Sequence, residues 1–323
     1  MWTRVKSPLQ RVVYYTVALL RELVPQPLWH WHWQRQLDAV TRKGVSAEVI
    51  QRVNYYNKLT PGASIEGAPL SKKLAFRPTY YYFDLREYAC AFPASFRLAH
   101  RFGDVTEVPA MPSIIKSRPI AEENAAAVLM KLDRLRHFRW PNDPFRFEEK
   151  KPVAIWRGTM NNPARERIVG LYASDRRFDI GQTGEGVEGI PAKPHVSIRE
   201  HMRCRYIISL EGRDVATNLK WIMASNSLCL MPRPRYETWF MEGLLEPGVH
   251  YAELCDDLSN LPDLVEHFER HPEEARSIIR AANAHVARFA NRRREHLISM
   301  LVLQKYFECT GQIFPREVTE LVS

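Results

Sequence analysis

At 323 residues the chain has room for two ordinary domains or one large one. Its 45% hydrophobic and 26% charged residues exclude a disordered or low-complexity protein and give a globular chain with a sizeable core. A net charge of +9 favours an anionic partner, whether nucleic acid, acidic membrane or phosphorylated substrate, without choosing among them.

Residues 12–20 form a mostly apolar run. It falls short of the ~20 residues that span a bilayer, and no small-residue cleavage site follows it, so neither a membrane span nor a signal peptide is expected. Arg4, Lys6 and Arg11 flank the run, and the cluster Trp29-His30-Trp31-His32-Trp33 follows. Such a start suits an anionic membrane surface or a first helix packed on its own domain. Residues 34–60 read as helix and 61–78, with three prolines and two glycines, as loop. The aromatic run 79–84 has strand composition, 85–101 reads as helix, 105–112 as extended, and 125–135 as a helix with apolar residues at helical spacing.

A turn-rich hinge at 141–152 divides the chain into an N-terminal domain, 1–150, and a C-terminal domain, 151–323. The second alternates strand 153–157, helix 163–173, strand 176–180, helix 197–203, strand 205–210, helix 215–224, strand 227–231, helix 235–243 and strand 249–253. Helices 261–270, 272–289 and 292–307 close it. Alternation of this kind predicts an α/β fold with a parallel sheet. The five cysteines, Cys90, Cys204, Cys229, Cys255 and Cys309, are scattered with no CxxC pair. Neither a disulfide framework nor a structural zinc site is expected, and a reducing compartment is.

Two segments carry the chemistry. Strand 153–157 runs into Arg157-Gly158-Thr159, with Arg165 just inside the next helix. A tight turn, a hydroxyl and cations beside a helix start make an anion site. The competing reading is that Arg157 merely pairs with a carboxylate. The second segment, Gly212-Arg213-Asp214-Val215-Ala216-Thr217-Asn218 with Lys220, follows strand 205–210. Ligands of open α/β sheets bind beyond the carboxyl ends of strands, so both turns can face one crevice and grip a diphosphate. The GxGxxG match at 184–189 lacks the helix that a dinucleotide fingerprint needs and reads as a loop. The spacing His267…His271 lacks a Glu after the first His, and Asp256-Asp257 are adjacent, so no metal site is expected. Asp104, after Gly103, reads as a turn Asp or as a candidate base.

Together Trp156-Arg157-Gly158-Thr159 with Arg165, the segment 212–220, Glu237-Thr238-Trp239-Phe240, Pro247-Gly248-Val249-His250-Tyr251 and Asp257-Leu258-Ser259-Asn260-Leu261 resemble glycosyltransferase family 90. Lys116-Ser117-Arg118-Pro119-Ile120, Asn124 and Arg136-His137-Phe138 are most similar to its bacterial lipopolysaccharide branch. The resemblance implies a GT-B-like fold of two Rossmann-like domains with a cleft between them, the N-terminal one small or degenerate. It implies inverting transfer of a hexose or pentose from a UDP-sugar to a hydroxyl of lipopolysaccharide core or a related glycan, with no cofactor and no metal. Thr159 and Arg165 then lie on the diphosphate, residues 213–218 around UDP, and Asp104, before Val105 and Pro109, is the base. Lys220 takes the cationic role that other members give to the position of Asn218, and Lys116, Arg118 and Asn124 lie on the acceptor side or cleft. The expected location is cytoplasmic, peripheral at the inner face of the inner membrane. The alternatives are a basic nucleic-acid-binding protein, though no recognised motif for it is present, and an inactive membrane-peripheral protein.

Overall fold

Parallel pairing dominates the computed structural model, which describes residues 8–65, 76, 79–184, 192–315 and 317–322. In chain order the first elements are α1 (Pro8–Glu22), α2 (Gln26–Lys43), α3 (Ala47–Tyr56), α4 (Tyr80–Ala89), β1 (Ala99–Arg101), β2 (Ser113–Ile115), β3 (Ser117–Pro119), β4 (Ala127–Leu129) and α5 (Arg134–His137). There follow β5 (Lys151–Gly158), α6 (Pro163–Tyr172), β6 (Phe178–Gln182), α7 (Ile198–His201), β7 (Cys204–Ile208), α8 (Leu219–Met223), β8 (Leu228–Met231) and β9 (Tyr236–Thr238). The chain ends with β10 (Ala252–Glu253), α9 (Leu261–Arg270), α10 (Pro272–Ala287), α11 (Arg292–Cys309) and α12 (Glu317–Leu321). Most of the GxGxxG loop, 185–189, lies outside the described residues.

Contacts divide the chain into two units. The sheet unit holds Arg136–Arg235 and Phe240–Ala290. The composite unit holds Lys6–Leu135, Tyr236–Trp239 and Asn291–Ser323. The chain therefore passes from one unit to the other near residue 135, and α11 and α12 group with the N-terminal elements.

The sheet unit is built on one parallel sheet in the order β10-β8-β7-β5-β6. Ala154, Trp156, Ile180, Tyr206, Ile208, Leu228 and Leu230 pack with Ile168 and Val169 of α6, Phe268 of α9 and Ile278 of α10. Ile155, Ile207 and Cys229, alternating with these along the strands, are buried too. Burial on both faces is the usual condition of a parallel sheet and explains the unbroken apolar runs in the sequence.

In the composite unit β1, β2 and β4 form a parallel sheet and β3 pairs antiparallel with β9. Four expectations fail here. The aromatic run 79–84 opens helix α4, because the Thr79 side chain accepts from the backbone N–H of Tyr82 and caps it. That helix ends at Ala89, Pro93 lies in a turn, and β1 follows, so 85–101 is not one helix. Residues 127–129 are a strand buried on every side, where apolar spacing no longer distinguishes helix from strand. The expected helix 235–243 is instead β9 followed by a single helical turn at Glu242–Leu244. Residues 105–112, expected to be extended, carry no regular secondary structure.

Candidate functional site

The chain leaves β5 toward β6 and leaves β7 toward β8, in opposite directions across the sheet. The carboxyl ends of adjacent strands β5 and β7 thus flank a topological switch point, where open α/β sheets bind ligands. Both turns singled out in the sequence lie there. Gly158 ends β5 where a Cβ would come within 2.7 Å of the Trp156 ring, so no larger residue fits without displacing the indole. Asn162 starts α6 by accepting from the Arg165 backbone N–H at 3.0 Å, and Pro163 occupies the first turn.

The two loops are tied together. Asn162 Nδ2 donates to the carbonyls of Glu211 (2.6 Å) and Gly212 (2.9 Å). Arg165 donates from Nε to Glu211 O (2.9 Å) and from Nη2 to Leu210 O (2.9 Å), and its guanidinium lies 5.9 Å from the centroid of the Trp156 ring. A Cβ on Gly212 would sit 3.3 Å from Arg165 Nη2, which explains a glycine at this approach. Among the described residues no carboxylate pairs with Arg165, and burial alone lowers its pKa from the usual guanidinium value. Neutral carbonyls hold the cation in place and leave its charge for an anion. Thr159 is exposed beside it, and its carbonyl oxygen lies 3.4 Å from Arg165 Nη1.

Other donor-side residues have structural tasks. Asn218 donates to Ile208 O (3.1 Å) and accepts from Ser209 Oγ (3.1 Å), fixing the end of β7. Asp214, Val215 and Ala216 are buried, the Asp214 carbonyl accepts from Gly212 N (3.0 Å), and Arg213 is exposed. Arg157 is engaged by Asp179: Nη2 meets Oδ1 at 2.5 Å and Nη1 meets the carbonyl at 2.6 Å. Lys220, expected beside the diphosphate, is fully buried on Glu242 (2.7 Å) with the Phe138 and Phe240 rings around it. α8 begins at Leu219, later than expected, and Lys220 lies on its inward side. Its charge is met inside the protein.

In the composite unit Asp104 follows Gly103, whose φ of +107° suits glycine, in the loop after β1. Lys116 stands just beyond neighbouring β2 and donates to Asp104 Oδ1 at 2.6 Å. The lysine side chain is 2% exposed and that of Asp104 is 32% exposed, so the ammonium is sealed in while the carboxylate reaches solvent. An adjacent ammonium favours the ionised carboxylate. Phe102 stacks on His100 (4.1 Å between ring centroids) and on Tyr81 (5.5 Å), forming an aromatic stack two residues from Asp104. Tyr81 is not legible as part of this stack in the sequence, because its aromatic run has strand composition. Sequence reasoning also misses Asn162, whose signal is an Asn directly before Pro163.

Arg118 and Asn124, expected on the acceptor side, lie in the interior. Arg118 is fully buried and donates to Glu237 (2.7 Å), Ala127 O (2.9 Å) and Tyr55 O (2.7 Å), tying β3 to β9, β4 and α3. Asn124 donates to Pro119 O (3.1 Å) and accepts from Lys58 (2.8 Å). Trp239 stacks on Tyr56 at 3.8 Å and donates to Glu295, which also takes Arg52 and Lys131. Burial works to raise the pKa of Glu295, yet Lys131 and Arg52 hold it below the usual carboxylate range. The Glu237-Thr238-Trp239 motif is thus a structural node of the composite unit.

Residues 129–308 match the model of glycosyl transferase family 90. Asp104 lies ahead of the first matched residue. The chain is 39% identical over 312 residues to an O-glucosyltransferase, LpsA, of Dichelobacter nodosus, covering 95% of this chain and 98% of that protein. It is 28% identical over 182 residues to protein O-glucosyltransferase 2 of Danio rerio and 25% over 159 residues to protein O-glucosyltransferase 1 of Mus musculus. Those matches take in 54% and 46% of this chain but only 35% and 39% of the animal proteins.

Proposed function

The chain belongs to glycosyl transferase family 90, and from that premise we propose that it transfers a hexose or pentose from a UDP-sugar to a hydroxyl of lipopolysaccharide core or a related glycan. The observation that carries the donor side is Arg165, a cation without a carboxylate partner among the described residues, which joins two loops at the switch point of the sheet. A diphosphate is the anion such a site suits, since it is long enough to meet both loops. Glucose is the first sugar to test, because the relatives are named O-glucosyltransferases.

In this reading Asp104 removes the proton from the acceptor hydroxyl. The hydroxyl oxygen attacks the anomeric carbon from the face opposite the nucleotide. The bond from that carbon to the diphosphate oxygen breaks, its electron pair leaves with UDP, and the configuration inverts. Arg165, the Thr159 hydroxyl and the start of α6 meet the charge that develops on the leaving group, without a metal ion. The aromatic stack Tyr81–Phe102–His100 offers apolar faces for an acceptor sugar. A GT-B-like arrangement, and work on the cytoplasmic side at the inner face of an anionic membrane, belong to the same proposal.

UDP release tests it. Wild-type protein given UDP-glucose and a deacylated core oligosaccharide should release UDP only when both are present. Failure of every UDP-sugar to bind, or to release UDP with any glycan acceptor, contradicts the reading. Steeply salt-dependent binding of RNA in their place would favour the nucleic-acid alternative.

A further inference from the structure

Exposed apolar residues are concentrated in one place. Of the 15 large hydrophobic residues exposed among the described residues, nine lie between Val12 and Trp31, on α1, the turn after it and the start of α2. Three polar side chains of α1 face the other way, onto α4. Tyr14 donates to Asp84 of α4 at 2.6 Å, Arg21 pairs with Glu87 at 2.6 Å, and Glu22 pairs with Arg86 at 3.2 Å. Meanwhile Val13, Val17, Leu20 and Leu23 are 53%, 43%, 57% and 77% exposed. This is the reverse of an ordinary surface helix, which turns its apolar stripe inward. Apolar patches that stay in water mark surfaces that something else covers.

Charge identifies the cover. Arg21 and Glu22 are both paired with α4, and the rest of residues 8–43 carries Arg11, Arg35, Arg42 and Lys43 against Asp38. The exposed Trp31 has the Arg35 guanidinium 4.8 Å from its ring centroid, an amphipathic pair of the kind that sits at a lipid headgroup boundary. A second copy would bring the same surplus of cations against itself, since a two-fold interface repeats one patch on both sides. α1, at 15 residues, is about 22 Å long, and no helix among the described residues is long and apolar enough to cross a membrane. The geometry suits a helix lying in the interface.

We propose that the outer face of α1 and the start of α2 dock the protein on an anionic phospholipid surface. The apolar side chains enter the boundary between headgroups and acyl chains, and the flanking arginines meet lipid phosphates. The inference rests on the peripheral-membrane part of the reading above and on none of its sugar chemistry.

Flotation of the full chain with vesicles tests it, and because the vesicles hold no glycan acceptor the outcome is independent of transfer. The protein should float with phosphatidylethanolamine–phosphatidylglycerol vesicles and far less with phosphatidylcholine alone. High salt should weaken that preference. Leu20→Asn with Leu23→Asn should lower vesicle affinity by at least about tenfold, at an unchanged melting temperature, since both side chains already face water. No flotation of wild type with anionic vesicles, or equal flotation of the variant, overturns the proposal. So does a wild-type dimer in sedimentation velocity that the same variant dissociates without any vesicle binding, which would make a second copy the cover.

Discussion

Arg165 and Asp104 occupy comparable places beyond the carboxyl end of a parallel strand, Arg165 in the first turn of α6 and Asp104 in the loop after β1, yet they are held in opposite ways. Arg165 is fixed by neutral carbonyls at 2.9 Å, so its charge remains for a ligand. Asp104 is fixed by a buried ammonium at 2.6 Å, so its charge is met while its carboxylate stays open to solvent. The same topological position can therefore be built to hold an anion or to present a base. The partner decides which: dipoles keep a charge available, and an opposite charge keeps a carboxylate ionised and oriented. In the proposed reaction one region holds the leaving group and the other accepts the proton.

The sharpest break between the two is Asp104→Asn. General-base catalysis is worth about 10²- to 10⁴-fold, so kcat should fall in that range while UDP binding stays at the wild-type level. Retained turnover would remove Asp104 from the reaction. Arg118→Met comes next. It leaves Glu237 buried without its guanidinium and should cost about 3–5 kcal/mol in denaturant unfolding. A loss below 1 kcal/mol would mean that the Arg118 crossbar does not hold the composite unit together.

The sheet unit should be the acid-sensitive one. Burial pushes the pKa of His285 down to about 4, and Nε2 of the neutral ring donates to Phe240 O at 2.8 Å. In the unfolded chain the ring titrates near 6.5, so between pH 6.5 and 4 the unfolded state binds a proton that the folded state refuses. Stability should fall as pH drops through that window, by up to about 3 kcal/mol from this residue. His285→Gln should flatten the dependence, and an equally steep loss in that variant would place the effect elsewhere. The smallest effect belongs to Lys116→Met. Turnover at neutral pH should fall by about tenfold or less, with Lys116→Arg restoring part of it. Undiminished turnover, or no rescue by Lys116→Arg, would leave Lys116 with packing alone.

The two units were not equally legible. The sheet unit reads more directly from the sequence because its strands are apolar runs buried on both faces and α6 follows β5 closely. Gly158, Asn162-Pro163 and Gly212 announce the two loops locally. The composite unit joins segments far apart. β9 exists because Glu237 finds Arg118 from 119 positions earlier, and no local pattern at 235–243 carries that information. β4 is buried on all sides, which erases its period, and α4 hides aromatic residues behind a single Thr79 cap. Lys220 was misplaced for a related reason. A lysine near a helix start suggests an anion, but its partner, Glu242, comes from a turn that the sequence concealed inside an expected helix.

Titration calorimetry of UDP on wild type, Asp104→Asn and Arg165→Met, with circular dichroism confirming that each is folded, tests the division of labour most directly. Asp104→Asn should bind like wild type, and Arg165→Met should bind about 10²-fold more weakly or not at all. Wild-type affinity in a folded Arg165→Met variant would contradict the account.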